Sequence, residues 1–169
     1  VNTLAPIADA GLDLNLTCNT TSGTIGTSAT VGNTYSWSPS LGLSANNVSD
    51  PTASPALSTT YTVTVTNTAN GCTSTDVVVV NVNTLAPVAD AGADKILNCT
   101  TTSTTIGVAA VVGNTYSWSP ATGLSNSTVS NPTATPTVTT SYTVTVTNTA
   151  NGCTATDVVV VNVNTLAPN

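Results

Sequence analysis

The chain has 169 residues and a net charge of -6, with one Lys or Arg against seven acidic residues and no His, Met or Phe. So few cations leave no basic patch for phosphate, which argues against nucleic acid and anionic membranes as partners, and no apolar run is long enough for membrane insertion. Without His or Glu, the usual sources of general acid-base and activated-nucleophile chemistry are missing, and the expectation is that the protein is not an enzyme.

In chain order, VNTLAPIADAG holds Pro6 and Gly11, which suits a connector becoming an edge strand, because Pro cannot donate to a central ladder. Leu12, Leu14 and Leu16 then alternate with polar residues up to Cys18 and predict a short strand; Thr24 to Ala29 predict the next. Tyr35 and Trp37 sit two apart in NTYSWSP and share a face. The tryptophan reads as the plug of a β-sandwich core, with a sugar-stacking platform as the alternative.

Beyond Pro39, a stretch rich in turn formers is expected to hold two short, irregular strands. Tyr61, Val63 and Val65 alternate with Thr62, Thr64 and Thr66, so one face of the following strand is apolar and the other carries hydroxyls. Tyr61 opens that strand, where its hydroxyl is expected to bond upstream backbone as in a tyrosine corner. Asn70-Gly71 supplies residues that tolerate positive φ for a tight reversal into a second β-branched run, Asp76 to Val82. Helical periodicity is absent.

Everything recurs 81 residues later: Cys18 and Cys99, Trp37 and Trp118, Cys72 and Cys153 are equivalent, as are Tyr35 and Tyr116, and Tyr61 and Tyr142. The stretch Tyr61 to Val82 returns at Tyr142 to Val163 with one change, Ser74 to Ala155. The expected organisation is one domain over 1–81 and a second over 82–162. A third copy of VNTLAP, Val163 to Pro168, opens the segment 163–169, which is expected to be the start of a further repeat or a C-terminal connector, as in an excerpt of a longer array or a subunit with like ends.

Cysteines without His or CxxC spacing do not resemble a zinc or redox site, and disulfides in an oxidising compartment are expected. Cys18 with Cys72 and Cys99 with Cys153 is the first pairing to consider. An immunoglobulin-type topology would place those partners at opposite ends of a sandwich, so pairing between units or between chains stays open.

The order ADAG, YSWSP, GLS, DPTASP, TTYTVTVTN and NGCTSTD before a valine run resembles the PKD-like, immunoglobulin-like tandem repeats of large bacterial cell-surface and adhesin proteins, over the whole unit and in both copies. It departs from typical PKD domains after Trp37, where Ser38, Pro39 and Ser40 replace an Asp- and Gly-rich turn. The resemblance implies secretion and tandem arraying. With the strand pattern it gives the expected fold class: all-β, two immunoglobulin-like sandwiches of about seven strands each.

Among candidate sites, Asp9 and Asp13, with Asp90 and Asp94, flank a glycine near the start of each unit. They read either as Asx-type turns or as oxygen donors for a junctional Ca²⁺, the one cofactor considered. N-x-S/T sequons stand at Asn15, Asn19, Asn47, Asn98 and Asn126.

In TDVVVVNV, alternation sends Val78, Val80 and Val82 to one face, and Val77 and Val79 to the other. Val77, Val79, Val158 and Val160 therefore form a candidate assembly face, and the expected main partner is another copy or a neighbouring repeat. The expected role is a structural fibre, filament or sheath outside the cell. The alternative is an adhesin or carbohydrate-binding stalk that meets glycans through loops around Gly42 to Asn47.

Overall fold

A computed structural model describes residues 3–164 and divides the chain into two compact units, Val1–Thr84 and Leu85–Asn169. Residues 165–169, which hold all but the first two residues of the third VNTLAP copy, lie outside the described residues. The described residues are all-β, without a helix.

The first unit contains β1 (Leu14–Thr17), β2 (Gly23–Thr24), β3 (Asn33–Ser38), β4 (Thr52–Ala53), β5 (Thr59–Asn67) and β6 (Thr73–Asn83). A four-stranded sheet runs β1-β6-β5-β3 and faces a small pair, β2-β4, to which an isolated bridge from Leu43 to Ala53 adds a further extended piece. β5 pairs antiparallel with β6 and β3, whereas β1 pairs parallel with β6, Leu14 opposite Val80 and Thr17 opposite Asn83. The second unit repeats this with β7 (Lys95–Asn98), β8 (Thr104–Thr105), β9 (Asn114–Ser119), β10 (Thr133–Ala134), β11 (Thr140–Asn148) and β12 (Thr154–Asn164), its large sheet ordered β7-β12-β11-β9.

Alternation decides the faces. Tyr61, Val63 and Val65 of β5 and Val78 and Val80 of β6 are buried with Leu16, Ile25 and Trp37 in one cluster; the second unit repeats it around Trp118 and Tyr142. At roughly 1.5–3 kcal/mol for each large apolar side chain removed from water, such a cluster is the main favourable term for so small a domain.

Two local expectations are corrected. The predicted strand Thr24 to Ala29 shrinks to Gly23–Thr24, because Gly26 turns the chain at φ 79°. There it lies so close to the Ser49 carbonyl and the Trp37 ring that a Cβ would collide with both. The hairpin is not a two-residue reversal with Asn70 at positive φ either. Gly71 alone has positive φ, and the loop closes through Gly71 N–H to Asn67 O and Asn67 N–H to Cys72 O. A wider loop needs only one left-handed residue, which frees the Asn70 side chain for other bonds.

Candidate assembly surface and cysteine positions

The residues before β1 run alongside β6 and are fastened to it by side chains, since Pro6 interrupts any regular ladder. Asn70 Nδ2 donates to Leu4 O, Ser74 Oγ to Pro6 O, Ala10 N–H to Asp76 Oδ2 and Val79 N–H to Asp13 Oδ1, at 2.6 to 3.0 Å. Each unit thus has a head, where the chain comes in beside the hairpin loop, and a tail, where β6 or β12 leaves. In the second unit Asn151 Nδ2 donates to Leu85 O, Ala91 N–H to Asp157 and Val160 N–H to Asp94. The Ser74 bond has no counterpart, because Ala155 stands there.

The candidate carboxylates are engaged in this fastening. Asp9 Oδ1 accepts Gly11 N–H and Asp90 Oδ1 accepts Gly92 N–H, both closing Asx-type turns. Among the described residues no three acidic, Cys or His side chains gather to hold a cation. Bonds from the Ala10 and Val77 amides hold the Asp76 carboxyl below its ordinary pKa, and Asp157 is lowered by Ala91 and Val158 in the same way. Sequence reasoning missed the bracing role of Asp76 and Asn70. The available signal was that both lie in the β6 hairpin stretch that repeats almost without change.

Trp37 is 2% exposed, its Nε1–H bonded to Val48 O at 2.9 Å; Trp118 does the same with Val129. No face of either indole is open for stacking on a sugar. Tyr61 and Tyr142 are buried, and their hydroxyls donate to Leu41 O and Thr122 O, twenty residues upstream. Burial pushes both phenols up. Tyr35 and Tyr116 are only half-buried against the cores and accept the Thr30 and Val111 amides on their hydroxyls.

The cysteines depart from the first expectation. Cys18 follows β1 at the tail, its Sγ 3.9 Å from Thr84 O, whereas Cys72 precedes β6 at the head and donates to Thr3 O at 3.6 Å. The eleven residues of β6 separate them, roughly 35–40 Å at about 3.3 Å per residue, against about 4–7 Å between Cα atoms in a disulfide. Neither Cys18–Cys72 nor Cys99–Cys153 forms: Cys18 and Cys153 are disulfide-bonded, Cys72 is a free thiol and Cys99 is an exposed thiol.

The outward face of each large sheet is a carpet of hydroxyls and methyls. In the first unit the register aligns Ser38, Thr62 and Val77 in one row, Ser36, Thr64 and Thr75 in the next, and Thr60 with Val79. Val77 is 56% exposed and Val158 is 52% exposed, while Val79 and Val160 are half-buried. These rows carry no charged side chain. The edges are guarded by shortness rather than charge: β1 has four residues, and β3 has its Trp37 amide taken by Asn46 O.

One groove of about 540 Å³ is lined by Pro39, Leu41, Gly42, Pro55 and Leu57 of the first unit. The loop above it is tied down, Ser44 N–H to Thr52 O and Ser54 N–H to Gly42 O.

No family model matches the chain, and no curated protein matches it significantly. Among solved structures it is similar to the I-band fragment I67-I69 from titin, with TM-score 0.52 and 16% identity over 96% of this chain and 66% of that one. It is similar too to an E-to-A mutated variant of titin domains I67-I69, with TM-score 0.51 and 15% identity over 95% and 66%. The chain thus spans just under two-thirds of those fragments. At such identity the likeness speaks to fold: this is a tandem of two immunoglobulin-like β-sandwich domains.

Proposed function

We infer that this chain is a structural component of an extracellular fibre, filament or sheath, in which tandem sandwiches associate with further copies through the outward faces of their four-stranded sheets. The observation that carries this is the repeated row of exposed Val77 and Val158 in faces without charge. A sheet that meets water on one side ordinarily carries Lys, Glu or Asp there, which keep it soluble and deter association. Threonine methyls and valines desolvate at little cost, and hydroxyls can bond across a closely packed face.

The disulfide-bonded state of Cys18 and Cys153 supports an oxidising location outside the cytosol. The PKD-like sequence pattern supports a bacterial cell-surface array, and no cofactor is required. The fold accords with a passive, load-bearing or display role rather than catalysis.

The test is electron microscopy of the purified protein without ligand, beside a variant carrying Val77→Asp, Val79→Asp, Val158→Asp and Val160→Asp. Regular filaments from the parent and dispersed particles from the variant, with unchanged circular dichroism, are expected; filaments from both would sink the assembly face. A second reading, an adhesin that meets glycans, draws on the groove at Leu41 and Leu57. Leu41 is replaced by Thr122 in the second unit, so the groove's apolar wall is not a repeated feature. Glycan-array binding by dispersed particles would favour it.

A further inference from the structure

The N-x-S/T sequons are not presented alike by the fold. Asn126 sits in an Asx turn: its Oδ1 accepts the Thr128 N–H at 2.8 Å and the Thr128 Oγ1–H at 2.9 Å. Asn98 repeats the arrangement with Thr100, at 2.9 and 2.8 Å, and also takes the Thr101 N–H. Only the oxygen of a carboxamide can accept an amide N–H, so these bonds fix which way each side chain faces. With the oxygen held against the backbone, the planar group turns Nδ2 outward. Asn98, Asn126 and the two threonines are exposed. The other sequons differ. Asn15 lies within the β1 ladder, its Oδ1 taking the Asn81 Nδ2 at 3.3 Å. Ser49, two residues beyond Asn47, is buried with its hydroxyl on Asp50. Asn19 is exposed past β1, but no Asx turn holds its carboxamide.

We propose that Asn98 and Asn126 are N-glycosylated on the folded chain, from a polyprenyl-pyrophosphate oligosaccharide donor, and that the glycans shield both edges of the second unit's four-stranded sheet. Placement carries the shielding. Asn98 is the last residue of β7, one outer strand of that sheet. Asn126 precedes Ser127, whose carbonyl takes the Trp118 N–H of β9, the other outer strand. The middle strands β11 and β12 hold Asn148, Asn162 and Asn164, yet none of these begins a sequon. With one Lys or Arg in the whole chain, the charges that ordinarily keep sheet edges from pairing are scarce, and a bulky, hydrated glycan does the same work. Sugars at the edges leave the outward face around Val158 bare for association.

In the transfer, Asn Nδ2 attacks the anomeric carbon of the donor sugar. The N–C bond forms as the C–O bond to phosphate breaks, and the pyrophosphate leaves with the electron pair. The amide gives up one proton to a carboxylate of the transferase, and nothing is oxidised or reduced. This inference rests on the reading of the chain as extracellular, because donor and transferase meet chains that are exported.

The test takes native material, treats it with peptide N-glycosidase in heavy-oxygen water, which turns each glycosylated Asn into a labelled Asp, and maps peptic peptides by mass spectrometry. Label at Asn98 and Asn126 in most copies, and at Asn15 and Asn47 in almost none, is expected. Unlabelled Asn98 and Asn126 would overturn the proposal and, in material that forms filaments, leave the structural role standing. Equal label at Asn15 and Asn47 would overturn selection by the folded turn. Trimming the glycans of intact filaments with an endoglycosidase, which leaves every Asn in place, should make them pair side by side under the electron microscope. Trimmed filaments that stay single would overturn the shielding. Labelled sites on dispersed particles would uphold the glycans and remove the fibre instead.

Discussion

Gly26 shows how much of a unit can depend on one missing side chain. Its φ of 79° and the adjacent Ser49 carbonyl and Trp37 ring leave no room for a methyl group, and Gly107 meets Ser130 and Trp118 in the same way. Gly26→Ala should therefore cost about 3 kcal/mol, from a left-handed alanine together with an overpacked core. The check is urea unfolding followed by tryptophan fluorescence, where the first unit should unfold earlier and the second should keep its midpoint.

Asp76 and Asp157 make a pH prediction of definite sign. Their folded pKa values lie below the ordinary carboxylate value because amides bond the ionised form. The stability they contribute is present above the unfolded pKa, about 3.9, and is lost as pH falls through the lower folded value. Thermal melting should be nearly flat from pH 7 to about pH 5 and fall below about pH 4. In the Asp76→Asn, Asp157→Asn variant that fall should be shallower; an identical acid profile would show that these carboxylates do not brace the strand.

At the scale of elements, legibility followed local periodicity. The alternation in Tyr61 to Thr66 and in the valine run fixed both faces of β5 and β6, because a side chain's face depends only on its position along the strand. β2 is shorter than its composition suggests: Thr24 to Ala29 look extended, but the close approach of Ser49 to Gly26 is a tertiary fact. The hairpin differs for a related reason: Asn70-Gly71 fits a two-residue turn as well as the wider loop, and the wider loop is selected by the Gly71 N–H to Asn67 O and Asn67 N–H to Cys72 O bonds together with the hold of Asn70 on Leu4 O. Cysteine pairing is legible only through topology: β1 running parallel to β6 puts Cys18 and Cys72 at opposite ends, as an immunoglobulin-type topology leads one to expect, whereas sequence spacing alone favours pairing them.

At the scale of the whole molecule, scarcity of cations matters beyond solubility. Lys95 is the single trypsin site, and it sits in β7 opposite Val161 of β12, in a parallel ladder that continues through Asn98. A protease needs several residues around the bond in extended, detached form, so cleavage requires β7 to leave its sheet. Leu97, its buried residue, would then leave the core as well. The expected outcome is that trypsin leaves the folded chain intact for hours, whereas the unfolded, reduced chain is cut once into 1–95 and 96–169. Mass spectrometry over time reads both. Rapid cutting under native conditions would mean that β7 opens independently of its core.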